Sequence, residues 1–175
     1  MKYQRRMLLL ALCTAVAACG APNATISYGK AGSITLKDSQ VTLHVDGALD
    51  AVIGSSGDLS IDDKPVSITP ADRGLLMIYH QNVLTAASAM RESGEKIGLA
   101  TLKNKLSSDA NASSNEKSVD DVKQKERQVQ LKFCQDQANI KTVQDQLAIQ
   151  LSSFKPYGNI VSSNSIANCQ KDATN

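Results

Sequence analysis

Polar and apolar residues alternate through the first third of the chain. Ile26 and Tyr28, then Ile34 and Leu36, then Val41, Leu43 and Val45 each stand two positions apart between polar neighbours. A period of two puts such a set on one face of a strand. Gly29 to Gly32, Lys37-Asp38-Ser39 and Asp46-Gly47 interrupt the alternation with turn chemistry. A short apolar piece at 49–53 precedes Gly54-Ser55-Ser56-Gly57. The runs 59–61 and 66–68 then flank Asp62-Asp63-Lys64-Pro65 as a last small hairpin, with Pro65 leading its strand, where a missing N–H does least harm. Residues 25–68 are therefore expected to form a β-rich unit.

The period changes at Thr69. A hydroxyl N-cap, Pro70 at the first helical position and Asp72 in the first turn make a helix start. Leu76, Tyr79, Val83, Ala87, Met90, Gly94 and Ile97 follow at helical steps, and the pattern runs to about Leu106. Gly94 and Gly98 weaken its later half by about 1 kcal/mol each relative to Ala, or allow a partner helix to come close. Residues 107–118 are polar and aperiodic, a loop. Val119, Val122, Val129, Phe133, Ile140, Val143, Leu147 and Phe154 then keep near-heptad spacing, broken by Glu126 and Asp136. Neither helix can bury its stripe alone. The expected fold is α+β: a small antiparallel β-unit of hairpins, then a long antiparallel helical hairpin over 69–154, then a tail at 155–175 packed back on the helix.

The first residues are an address rather than fold. Lys2, Arg5 and Arg6 precede an unbroken apolar or small-residue run at 7–18, too short for a bilayer that needs about 20 residues. Val16-Ala17-Ala18-Cys19 closes it and resembles the lipobox of bacterial lipoproteins, in which the Cys thiol takes a diacylglyceryl group and becomes residue one after cleavage. That reading makes 1–18 a lipoprotein signal peptide, Cys19 the lipidation site and 19–24 a lipidated tether. The competing reading is an ordinary signal peptide cut at an Ala-x-Ala site, with Cys19 incidental. Three acyl chains would hold the protein permanently, since two lipid signals already suffice. Gly20, rather than Asp, follows the Cys, which in the enteric sorting rule implies the outer membrane rather than the inner one, on the periplasmic side.

Charge narrows the partners. The chain has nineteen Lys plus Arg against seventeen Asp plus Glu. Cleavage before Cys19 removes three bases and no acid, so the remainder is near neutral. A dominant electrostatic attraction to nucleic acid or anionic lipid is thereby excluded. No Trp, two Phe and four Tyr leave few large core side chains, which argues for a thin or elongated body. Of four Cys, Cys13 leaves with the leader and Cys19 is consumed by lipid. Cys134 and Cys169 remain as a pair in an oxidising compartment, and a disulfide is expected. It requires the chain to turn at Lys155-Pro156-Tyr157-Gly158 and run back along the helix; the alternative is a buried Cys134 with a free Cys169 on the tail.

Candidate chemistry is sparse. His44 sits in a strand pattern and His80 beside Tyr79, without Cys or carboxylate at zinc-ligand spacing. Asp62 and Asp63 lack the alternating ligands and bidentate Glu of a calcium loop and read as turn formers. Gly54-Ser55-Ser56-Gly57 is neither a nucleophile elbow nor a phosphate loop. No catalytic residue, metal site or cofactor is expected, and the chain reads as a non-enzyme.

The stretch from Gly57 through Leu59-Ser60-Ile61, Val66-Ser67-Ile68-Thr69-Pro70 and Leu75-Leu76-Met77-Ile78-Tyr79 resembles the YggN-like family of periplasmic proteins, to which no function is assigned. In that family a glycine-led hairpin runs into a long helix with an early Tyr. Phe133-Cys134 through Gln146-Leu147 and Phe154-Lys155-Pro156-Tyr157 are similar to its last helix. The likeness covers about half the chain after the leader, with Asp63 where a turn Gly is common and a shorter helical middle. It implies an envelope protein and supplies no catalytic residues.

The leading expectation is an envelope lipoprotein, held at the membrane through Cys19, that acts as a binding or structural module on an envelope protein partner. It predicts apolar or small residues on an exposed helical face. The alternative is an inhibitor or immunity-type lipoprotein against a cell-wall hydrolase, with 54–57 or 62–65 as its rigid loop. A carrier of hydrophobic ligands would need a cavity that scarce aromatics disfavour.

Overall fold

The computed structural model describes the backbone of residues 23–107 and 115–174, and the side chains of 23–91 and 123–174. Residues 25–68 form what their alternation demands, an antiparallel meander. Its strands are β1 (Ala24–Ser27), β2 (Ser33–Lys37), β3 (Gln40–His44), β4 (Ala51–Ile53), β5 (Leu59–Ile61) and β6 (Lys64–Pro65), paired in chain order. Register stacks Ile26 on Ile34, Ile34 on Leu43, Leu36 on Val41, Val41 on Ile53 and Ile53 on Leu59. All of these are buried on one face. On the opposite face Thr25, Thr35, Thr42, Val52 and Ser60 form a central row between Lys37 and His44 at its ends, and the Thr25 and Thr35 hydroxyls hydrogen-bond at 3.1 Å.

Two-residue turns set the hairpins. Asp38, Ser39, Asp62 and Asp63 all take positive φ, the conformation whose twist suits a tight hairpin. The turn at 62–63 pairs Ile61 with Lys64 and Ser60 with Pro65, so the last strand is Lys64–Pro65 and not 66–68. That expectation is corrected by the turn, which leaves no residue to slip. Pro65 lies in an edge strand, as its missing donor requires.

Helix α1 (Pro70–Ser107) starts as its sequence announces. The Thr69 hydroxyl accepts from the Asp72 N–H at 3.1 Å, while the Asp72 carboxylate accepts from the Thr69 N–H at 3.1 Å, a reciprocal cap. The helix runs unbroken through Gly94 and Gly98. Its buried stripe is Leu76, Tyr79, Val83, Ala86 and Ala87; Met90, placed in the stripe by spacing, is exposed. Helix α2 (Asn115–Gln150) begins inside the expected 107–118 loop and ends before Phe154. Polar Asn, Glu, Lys and Ser did not prevent helix there, because polarity by itself does not oppose the helical backbone; residues 108–114 lie outside the described ones. Helices of 38 and 36 residues, each about 55 Å long, pack together across a link of at most about 25 Å. Only an antiparallel hairpin satisfies that length.

Phe154 belongs to a short 3-10 helix, Ser152–Tyr157, that turns the chain back. Helix α3 (Ser163–Thr174) then packs on α2. The Cys134–Cys169 disulfide fastens it, with Cα atoms 5.7 Å apart. One apolar cluster joins the sheet face, the first half of α1, the second half of α2 and the turn at 154–161.

Candidate interaction surface

Both histidines singled out by sequence have hydrogen-bond partners. His80 is buried on α1, and its Nε2–H donates to the Ser39 carbonyl at 2.8 Å, fastening the helix to the β2–β3 turn. His44 lies on the open end of β3, with Nδ1 2.7 Å from Asp50 and Nε2 3.7 Å from Asp46. The hydrogen bond to Asp50 raises the His44 pKa above its ordinary value, with the charges of Asp50 and Asp46 adding to it. This cluster can hold a proton, but no hydroxyl or thiol nucleophile bonds to the ring. Lys64 meets Asp62 at 3.1 Å across the last turn. Among the described residues, no group of three His, Cys, Asp or Glu side chains is arranged to hold a metal ion.

The 54–57 loop is clamped rather than free. The Gly54 N–H donates to the Asp58 carbonyl at 2.9 Å and the Gly57 N–H to the Gly54 carbonyl at 3.0 Å. Gly57 takes φ +75°, and a Cβ there would lie 2.5 Å from the Arg73 carbonyl oxygen, so α1 can approach only a glycine. The Asp58 carboxylate accepts from Ser56 and Arg73, and these bonds lower its pKa.

Pattern analysis missed Gln144. Fully buried on α2, its amide donates to the carbonyls of Gly158 (2.8 Å) and Val161 (2.9 Å) and accepts from the Val161 N–H (3.1 Å). It holds the chain reversal that the disulfide then locks. A Gln at a core-facing position of α2 was the available signal. The Tyr157 hydroxyl donates to the Leu49 carbonyl at 2.6 Å, while those of Tyr28 and Tyr79 are buried without a hydrogen-bond partner, their pKa values pushed up by burial.

One surface open to a partner is the outside of α1. No Asp, Glu, Lys or Arg occurs between Arg73 and Arg91. Gly74, Ile78, Gln81, Thr85 and Ser88 recur at three- and four-residue steps and so line one face, opposite the buried stripe. Ile78 is 51% exposed and Met77, on its flank, 47%. The Thr85 and Ser88 hydroxyls donate back to the carbonyls of Gln81 (3.0 Å) and Leu84 (2.8 Å), so this face asks for little water. Helix α2 is the contrast: Lys123, Lys125, Glu126 and Arg127 stand exposed, and Lys132–Asp136 and Lys141–Asp145 pair along it. No family model, curated protein or solved structure matches this chain. No described helix is long and apolar enough to cross a membrane. Cys19 and the signal-like leader lie outside the described residues.

Proposed function

We propose that this chain is a cell-envelope lipoprotein, anchored through Cys19 on the periplasmic side of the outer membrane, that works as a non-enzymatic binding or structural module. The observation that carries the reading is the stretch of α1 between Arg73 and Arg91, which has no Asp, Glu, Lys or Arg and leaves Ile78 exposed beside a half-exposed Met77. Exposed apolar side chains on an uncharged helical face mark a contact site. The basic start, the apolar run at 7–18 and Val16-Ala17-Ala18-Cys19 support the anchor, and a disulfide suits an oxidising compartment. The resemblance to YggN-like proteins supports the same compartment.

Intact mass and membrane fractionation of the native protein beside a Cys19→Ala form test it. A mass increment for acyl chains and co-migration with outer-membrane markers are expected. A soluble protein cleaved elsewhere would replace the anchored module with a diffusible one. The second reading, an inhibitor of a cell-wall hydrolase, is favoured by the 62–65 turn, where Asp62, Asp63 and Lys64 project from a rigid hairpin. Inhibition of purified hydrolases by the protein, lost on Asp63→Gly with its surroundings intact, would favour that reading instead.

A further inference from the structure

Asn23, four residues after Cys19 in sequence, and the start of α1 lie at one end of the sheet. Only four peptide steps separate Cys19 from Asn23, a span of at most about 14 Å. Asn23 is held at the body: its Oδ1 accepts from the Asp38 N–H at 3.2 Å, on the β2–β3 turn. Register brings the 54–57 loop to the same end, because Ala24 pairs with Leu36 and Val41 with Ile53. The first turns of α1 lie across both. Arg73 and Met77 cover Gly57, and His80 bonds to Ser39. Charges at this end nearly cancel: Lys37 and Arg73 stand against Asp38, Asp58 and the buried cap residue Asp72, with Arg73 paired to Asp58.

We infer that the bilayer holding Cys19 is what covers the start of the α1 face, with Met77 and Ile78 seated among the lipid head groups. This rests on the anchored-lipoprotein reading and names the partner of its contact surface. The short tether keeps the 37–40 end of the sheet within reach of the membrane, and α1 presents there side chains that gain by leaving water. Nearly cancelled charge makes the contact apolar rather than electrostatic. The anchor makes it unimolecular, so two half-exposed side chains suffice to orient a body they could not recruit from solution.

The test uses the full lipidated chain in vesicles of phosphatidylethanolamine and phosphatidylglycerol. Cys134 and Cys169 are joined and Cys19 carries lipid, so an Ile78→Cys substitution creates a single reactive thiol for a polarity-sensitive fluorophore. Thr85→Cys, on the same face, and Lys125→Cys, on α2, are labelled alongside. The expected result is blue-shifted emission at position 78, quenched by nitroxide carried at lipid head groups, with the label at 125 unmoved and that at 85 between them. If Cys19 is acylated yet the label at 78 is as water-exposed as that at 125, the inference falls and the anchor reading stands. Absence of acylation removes both. Shielding of position 78 that rises with concentration in the Cys19→Ala protein without vesicles would assign the face to a second copy. Shielding in cells but not in vesicles would assign it to a protein partner. Either result overturns the membrane contact.

Discussion

Replacing Gln144 with Met should cost about 3 kcal/mol of stability. The substitution keeps the length and bulk of the side chain and removes every polar atom. The Gly158 and Val161 carbonyls and the Val161 N–H, now satisfied at 2.8, 2.9 and 3.1 Å, are then left without partners beneath α2. A buried backbone group stranded in this way costs about 1–3 kcal/mol. Three at the low end of that range give about 3 kcal/mol, a large part of the roughly 5–15 kcal/mol that holds a domain together. Urea unfolding of the Cys19→Ala protein, followed by far-UV circular dichroism with the disulfide intact, measures it. Gln146→Met, at an exposed position of the same helix, is the control and should fall within about 0.5 kcal/mol of the parent. Gln144→Glu should be at least as damaging near neutral pH, because a carboxylate faces two carbonyl oxygens. Part of the loss should return in acid, where the protonated group donates one bond. A loss below about 1 kcal/mol for Gln144→Met would refute the reasoning. It would mean that water reaches those groups and that packing and the disulfide hold the reversal unaided.

Other expectations follow from the same structure. Tyr79→Phe should leave stability unchanged or raise it by about 1 kcal/mol, since it removes an unpartnered buried hydroxyl and keeps the ring 5.8 Å from Phe154. Tyr157→Phe should lower stability by about 1 kcal/mol because it strips the 2.6 Å bond to Leu49, so opposite signs in thermal unfolding distinguish the two. Replacing Cys134 and Cys169 together by Ala opens a loop with a sequence separation of 35. In the chain-entropy picture this lowers stability by about 4 kcal/mol, read from urea midpoints beside the oxidised parent. The His44 ring should titrate above 6.5 by NMR, and Asp50→Asn should move its midpoint down. Because the folded pKa is the raised one, the stabilisation is fully present below the unfolded value and disappears as pH rises through the folded midpoint. A ring that titrates at its ordinary value would show that Asp50 does not hold it.

Strand alternation and the Thr69-Pro70-Ala71-Asp72 cap were legible in the chain because they obey local rules: a period of two, a hydroxyl that accepts an N–H, a ring that presets φ. The α+β class and the start of α1 therefore follow from the sequence alone. The Cys134–Cys169 bridge was an expectation with a free Cys169 on the tail as its alternative, and the fold decides for the bridge. Where helices stop is less local. Asn115 to Ser118 read as loop because they carry no apolar period, though polarity alone does not oppose helix, and Phe154 read as helix because its spacing fits the seam of α2. The 3-10 turn at 152–157 won because Phe154 and Tyr157 can both reach the core only if the chain folds back there. The role of Gln144 and the exposure of Met77 and Ile78 were decided by tertiary structure. A side chain's partners across a chain reversal, and which face of a helix another element covers, depend on contacts between residues far apart in sequence. Periodicity shows that α1 has a buried stripe; only packing against the sheet and α2 leaves Ile78, Gln81, Thr85 and Ser88 uncovered.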